Sequence, residues 1–467
     1  MSELWQLSAL ELATAIRNGD ATSRAVVEAH LARIDAVNPH LNAVVRRLDD
    51  EALAAADAAD AAVARGDELG PFHGVPITVK ENIDLAGTPT TQAVPALADA
   101  IAPIDAPSVE RMRAAGAIPI GRTNLPDLGL RVHTDSALYG LTRNPHHPDR
   151  TAGGSSGGEA ASIASGMSPL GLGNDIGGSL RNPAHCCGIA SIKPTVGVIP
   201  MATVIPPEDL LLGQQQMLAE GPMARRIADL RAAFDVLAGP SPRDPRTVPA
   251  RLTDLAVGEP LTIAVLAEPP GGPTHPEIAA AVRHAADLLT EAGHRIVEAT
   301  PPSYEEAIDM WAALMMADVV ATRPLLELVM GADALAFVNA AEGITPSPTV
   351  ESVELTQGTR YRLMREWSLF FAEHPVVLSP TWALPAFEHG ADLLDPESIL
   401  RDTARPVLPG NLLGLPGVVV PCGTADGMPV GVQVLGDRFT DLRCLAIAEQ
   451  IQAAVGAPTP IDPVLAR

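Results

Sequence analysis

Residues 153 to 181 read GGSSGGEAASIASGMSPLGLGNDIGGSLR, and nine glycines with six serines in this stretch offer two readings. Such a composition suits a flexible tether, or a backbone shaped around a serine nucleophile. A tether stays low in complexity, whereas this segment resumes apolar strand character at SPLGLG and carries Asp175 and Arg181. A serine hydroxyl is a weak nucleophile and needs a base. The basic residues are distributed unusually: of 32 lysines and arginines, only Lys80 and Lys193 are lysines. Arginine stays charged in proteins, while a desolvated lysine gives up its proton and can then accept one. A base is therefore the kind of role for which a lysine would be kept.

Three catalytic arrangements fit the Gly/Ser stretch. GGSSG matches G-x-S-x-G, the nucleophile elbow of α/β-hydrolases, and makes Ser155 the nucleophile; the motif is short, and no later Asp or Glu and His are distinguished as its partners. GLGNDIGG approaches a dinucleotide loop but fails G-x-G-x-x-G, because Ile176 stands at the third glycine position. The third arrangement is two serines in glycine-rich turns working with a lysine. Elsewhere, His185-Cys186-Cys187 offers a thiol and an imidazole, but neighbours on one chain seldom align as nucleophile and base, and buried structural thiols are expected. His146-His147 belongs to no HExxH-like ligand spacing and no GK[ST] phosphate loop occurs, so no metal and no cofactor are expected.

The elements that must position these groups follow from composition and periodicity. A chain of 467 residues with 47% hydrophobic content forms a large core. The net charge of −24 argues against nucleic acid and anionic membrane as partners. MSELWQLSALEL has no apolar signal region, no run of about 18 apolar residues occurs, and Cys186, Cys187, Cys422 and Cys444 lack framework spacing. A cytoplasmic protein is the expectation, with a homodimer as the default assembly. Residues 7–19, 22–37 and about 49–65 have helical spacing, with Ser8 and Thr22 as N-caps. GVPITVKENIDLAG contains a short β-branched strand ending in Lys80. SVERMRAAGAIPIGRTNLPDLG reads as helix, strand and loop, residues 187–200 as helix to loop, and residues 220–239 as one amphipathic helix ended by Gly239. PSPRDPRTVPARL (240–252) is linker-like and LTIAVLAE is a strand. Residues 303–370 are helical, with Trp311, Met315, Met316, Met364 and Trp367 read as core. VVLSPTWALPAF, NLLGLPGVVVPCG and VGVQVLG supply further strands before a last helix near 440–455.

The combination of GVPITVKENID around Lys80, GGSSGGEAA around Ser155 and GLGNDIGGSLRNPAHCCGIASIKPT around Ser179 resembles the amidase signature family of serine hydrolases. GRTNLPDLG (121–129), SALYGLTRNP (136–145), EGPMARRIADL (220–230), NLLGLPGVVVPCG (411–423) and MPVGVQVLG (428–436) extend the resemblance over nearly the whole chain. It implies an α/β fold with a large, mostly mixed central sheet covered by helices on both faces and an N-terminal helical layer. The parts would be a helical layer at 1–65, a signature core at 66–240, a helix-rich middle section at 241–370 that shapes the pocket, and a C-terminal part at 371–467 that completes the same core.

Carried over residue by residue, the resemblance makes Ser179 the nucleophile, Ser155 the relay reached through a cis peptide bond, and Lys80 the base. The amides of Ile176, Gly177, Gly178 and Ser179 become the oxyanion donors, because acyl transfer needs N–H groups aimed at the developing charge. Ser156, Asp175 and Arg181 are supporting residues, and Lys193 is a structural landmark. Asn174 and Asn182 depart from the family, which often has a small hydroxyl residue and a glutamine there; neither is expected to touch the three catalytic groups. The implied activity is hydrolysis of a small-molecule amide by water through an acyl-enzyme, extending to anilides, esters or carbamates. A silent member serving as one component of a larger assembly is the rival from another class. The pocket is expected from the 121–145 loops, the 303–370 helices and the tail around 381–411, with Trp311, Met315, Met316, Trp367 and Trp382 favouring an apolar acyl or aryl group.

Overall fold

The computed structural model describes residues 3–256 and 258–465. Eleven strands form one sheet: β1 (Val44–Arg47), β2 (Pro76–Lys80), β3 (Ile118–Thr123), β4 (Leu170–Asp175), β5 (Ala190–Lys193), β6 (Ala219–Ala224), β7 (Thr262–Val265), β8 (Arg295–Glu298), β9 (Val376–Pro380), β10 (Gly417–Ala425) and β11 (Met428–Gly436). Their spatial order is β1-β3-β2-β4-β6-β5-β10-β11-β9-β7-β8. Strands β3, β2 and β4 run parallel, as do β9, β7 and β8; the remaining pairs are antiparallel. The sheet is mixed, as expected.

Period-2 alternation of apolar residues explains how the sheet takes helices on both faces. Val376 and Leu378 of β9 enter the same apolar cluster as Ile263 and Val265 of β7, while the intervening Val377 and Ala264 enter another. Helices Pro107–Ala114, Ile227–Leu237, Pro276–Glu291 and Asp441–Val455 cover the first face. Gly157–Ala164 and Arg181–Cys187 pack on the opposite face. Farther along, Tyr304–Val329 and Val350–Glu373 close over the β7, β9 and β11 side chains.

The N-terminal helices run Ala9–Asn18, Ser23–Leu41 and Asp49–Arg65, and Ser8 and Thr22 cap the first two through their hydroxyls. This segment also supplies β1, which extends the sheet beside β3. Two local expectations need correction. Residues 190–193 form β5, not loop: Gly188 ends the preceding helix in the left-handed region (φ 67°), and the chain then enters the sheet between β6 and β10. Residues 219–224 form β6, not helix, and the helix begins only at Ile227. Gly221 faces Gly173 of β4 in a fully buried ladder, and this pairing overrides the helical appearance of the sequence.

For the site, the parallel pairing of β2 with β4 matters most. Thr78 aligns with Gly171 and Val79 with Leu172, so the C-terminal ends of both strands reach the same edge of the sheet. Lys80 ends one strand, and Asn174 and Asp175 end the other.

Candidate active site

Lys80 is fully buried, and its Nζ lies 2.8 Å from Ser155 Oγ and 2.8 Å from Asn174 Oδ1. Burial lowers its ammonium pKa to about 7, against the opposing pull of Asp175, Glu159 and Glu220. Lys193 is also fully buried and falls to about 7 through burial and the nearby Arg181 charge, but among the described residues its side chain donates to the Pro194 carbonyl alone. Both lysines thus occupy sites where an ever-charged arginine would be costly. Ser155 follows a cis Gly154–Ser155 peptide bond. Gly154 is needed there, since a Cβ would come within 2.5 Å of backbone atoms of Val132 and His133.

Ser179 sits on the turn between β4 and helix Arg181–Cys187, and Asp175 organises that turn. Asp175 Oδ1 accepts from the Gly178 N–H (2.8 Å), and Oδ2 accepts from the Leu180 N–H (3.1 Å) and Arg181 Nε (2.9 Å). Burial alone would raise the Asp175 carboxyl, but the adjoining Arg181 guanidinium reverses this and holds it well below the usual carboxylate range. Asn411 Nδ2 donates to Asp175 Oδ1 (2.9 Å), and Gln433 Oε1 accepts from Arg181 Nη1 (2.8 Å). The pair is therefore buried and almost fully satisfied, the condition under which such a pair is tolerated. The same geometry sets one of the four expected oxyanion donors apart: the Gly178 amide is donated to Asp175. The Ile176, Gly177 and Ser179 amides remain as candidates.

Ser156 donates its hydroxyl to the Asn174 carbonyl (3.4 Å) and its amide to the Ser179 carbonyl (3.2 Å), tying the two serine turns together. Among the described residues, Ser179 Oγ and Ser155 Oγ are not hydrogen-bonded to each other. One expectation fails: Asn174 touches Lys80 directly. Asn182 instead donates to the carbonyls of Val132 (3.2 Å) and Gly154 (3.4 Å).

Two features of the site were not anticipated from sequence. Glu159, on helix Gly157–Ala164, accepts from Thr123 Oγ1 (2.7 Å) and from Thr78 Oγ1 beneath the lysine. Burial raises its carboxyl to about 7, opposed by these hydroxyls. Its signal was present in GGSSGGEAA, where an acid breaks an otherwise uncharged run. Trp311 donates Nε1 to the Ile176 carbonyl (2.8 Å), and its ring lies where a Cβ on Gly177 would come within 2.6 Å. No local pattern marked that tryptophan as a neighbour of the serine turn.

Ser179 opens into a cavity of about 620 Å³. Its lining comes from Gly129–Val132, Ile176, Gly177, residues between 308 and 356, Leu400, Arg401 and Leu408. Trp311, Met315 and Met316 line it, whereas Trp367 and Trp382 lie in the core. The charged side chains at its wall are paired: Arg131 with Asp392 in the interior, and Arg401 with Asp309 at the exposed mouth. Cys186, Cys187, Cys422 and Cys444 are unpaired and buried, and burial pushes their thiols up, away from nucleophilic ionisation. Among the described residues, His275, Glu277 and Asp426 could share a cation, but none of them lines the cavity. No described helix is long and apolar enough to cross a membrane.

A large mixed sheet clothed in helices on both faces defines the fold class, and the chain belongs to the amidase family, whose pattern matches residues 25–445. It is a hydrolase acting on amide carbon–nitrogen bonds. It is 42% identical over 459 residues to an indoleacetamide hydrolase of Bradyrhizobium diazoefficiens, covering 97% of this chain and 87% of the relative. It is 32% identical over 496 residues to one subunit of the glutamyl-tRNA(Gln) amidotransferase of Salinispora arenicola, covering 98% and 99%. Among solved structures, a bacterial aryl acylamidase of the amidase signature family matches with a TM-score of 0.83 at 27% identity, over 97% of each chain. A 6-aminohexanoate cyclic dimer hydrolase in complex with its substrate matches with a TM-score of 0.81 at 27% identity, covering 98% and 99%.

Proposed function

We propose that this amidase hydrolyses neutral amides bearing an apolar, aryl-containing acyl group, through an acyl-enzyme on Ser179. The observation that carries this reading is the buried Lys80–Ser155 contact of 2.8 Å beside an apolar cavity into which Ser179 opens. Neutral Lys80 takes the Ser155 proton while Ser155 takes that of Ser179, so Ser179 Oγ attacks the carbonyl as the charge moves to the lysine. The Ile176, Gly177 and Ser179 amides face the developing oxyanion. The proton then returns through Ser155 to the leaving amine, and water releases the acid by the same route.

Substrate class follows from the cavity wall. Its apolar side chains can strip water from a ring, and Arg131 and Arg401 each sit beside a carboxylate, with one buried guanidinium nitrogen of Arg131 left without a partner. A free amino acid such as glutamine would bring a charged ammonium against this mostly apolar wall, which disfavours the amidotransferase-like role. The indoleacetamide hydrolase relative points to arylacetamides. Ammonia release from indole-3-acetamide and phenylacetamide should exceed that from glutamine by at least ~100-fold in kcat/KM, consistent with the cost of leaving polar groups unpaired. Equal turnover of glutamine would overturn the assignment. Anilides and esters sharing the acyl group pass through the same acyl-enzyme, and carbamates, which place a carbamoyl or alkoxycarbonyl group on the same serine, complete the panel.

A further inference from the structure

Asn174 stands where the Lys80 amine needs an acceptor, and its own orientation is fixed by a second amide. Asn174 Nδ2 donates to Asn82 Oδ1 (3.0 Å), and Asn82 Nδ2 returns a bond to Asn174 Oδ1 (3.3 Å). This reciprocal pair turns the Asn174 carbonyl oxygen, not its NH₂, toward Lys80 Nζ at 2.8 Å. A neutral lysine amine has two N–H bonds and one lone pair. With one N–H held by Asn174 Oδ1, the lone pair is free to point at the Ser155 hydroxyl, the other close neighbour of Nζ.

We propose that the Asn82–Asn174 amide pair is the positioning device for the Lys80 base, aiming its lone pair at Ser155 and setting the pH at which the lysine becomes reactive. The inference rests on the Lys80–Ser155–Ser179 reading. Asn174 touches no reacting atom other than through the lysine, so it is a positioning residue. The other charged groups facing Lys80 are Asp175 on the same strand as Asn174, Glu159 on helix Gly157–Ala164 and Glu220 on β6. They stay unchanged when residue 174 alone is varied.

The test is the pH dependence of Ser179 labelling by a fluorophosphonate, which needs no knowledge of the natural substrate. Asn174→Asp places a carboxylate on Nζ, stabilises the ammonium and should raise the pKa of the acid limb by at least one unit, with the high-pH plateau within about threefold of wild type. Asn174→Leu removes the acceptor; its limb should move down, and its plateau should fall about tenfold or more, because the amine is no longer aimed. Asn82→Ala leaves residue 174 in place but frees its amide to flip, and should lower the plateau several-fold. This variant also keeps the question open to measurement if Asn174→Leu does not fold. If the Asn174 variants lose rate with the acid limb unmoved, or Asn82→Ala keeps the wild-type plateau, the inference is overturned and the serine–lysine reading stands. If the wild type labels at no serine or at Ser155, the reading and the inference fall together.

Discussion

The serine turns at 153–181 and the helical wall at 304–373 face the same cavity and are built by opposite rules. In the turns, nearly every residue is buried and polar atoms are individually paired: Asp175 with Arg181, Glu159 with two threonines, Lys80 with Ser155 and Asn174. In the wall, Met315, Met316, Val319 and Phe337 present apolar surface with no directional bonding. Paired buried polar groups tolerate almost no substitution, because losing one partner strands the other. An apolar wall tolerates many substitutions of similar volume and changes fit more than reaction. Under the proposed mechanism, chemistry is therefore fixed on one side of the cavity and selectivity is tuned on the other.

The largest effect should come from the turns. Lys80→Ala and Ser179→Ala should each lower kcat by at least ~10⁴-fold with the fold intact, as for other groups acting as a unit. Lys80→Arg should be as inactive as alanine, because arginine cannot be deprotonated there. The proposed mechanism requires Lys80 in its neutral form. Its pKa of about 7 therefore predicts a kcat/KM that rises tenfold per pH unit below 7 and levels off above it. A flat profile between pH 5 and 8 would break the assignment of the base.

Asp175→Asn should come next, destabilising the protein by ~3–5 kcal/mol in denaturant unfolding, because the buried Arg181 charge loses its partner. Gly154→Ala should cost ~1–3 kcal/mol by overpacking, with labelling of Ser179 lost as Ser155 shifts. On the wall, Phe337→Ala should alter selectivity between aryl and short alkyl amides by ~10-fold with kcat on small amides nearly unchanged. Trp311→Phe sharpens the comparison because that residue belongs to both sides. Removing its bond to the Ile176 carbonyl should cost ~1 kcal/mol, read as a roughly fivefold drop in kcat. If wall substitutions proved as damaging to kcat as those in the turns, the division of labour would be wrong.

The same division explains what the sequence could tell. Gly154, Gly177 and Gly178 are needed because side chains there would collide, so the turns carry a dense local pattern that marks Ser155 and Ser179. Lys80 stood out because thirty arginines surround it in composition. What escaped detection depends on partners distant in sequence. The Gly178 amide was spent on Asp175, Asn174 met Lys80 across two parallel strands, and Trp311 reached Ile176 from another helix. Strands β5 and β6 were misread for a related reason. They are short, central and held by neighbours on both sides, so pairing rather than local propensity decides their conformation.

The most direct test of the central claim is intact-mass and peptide mapping after treatment with a fluorophosphonate. The account predicts a single adduct, on Ser179, that is lost in Lys80→Ala. An adduct on Ser155, or one on Ser179 formed equally fast without Lys80, would contradict it.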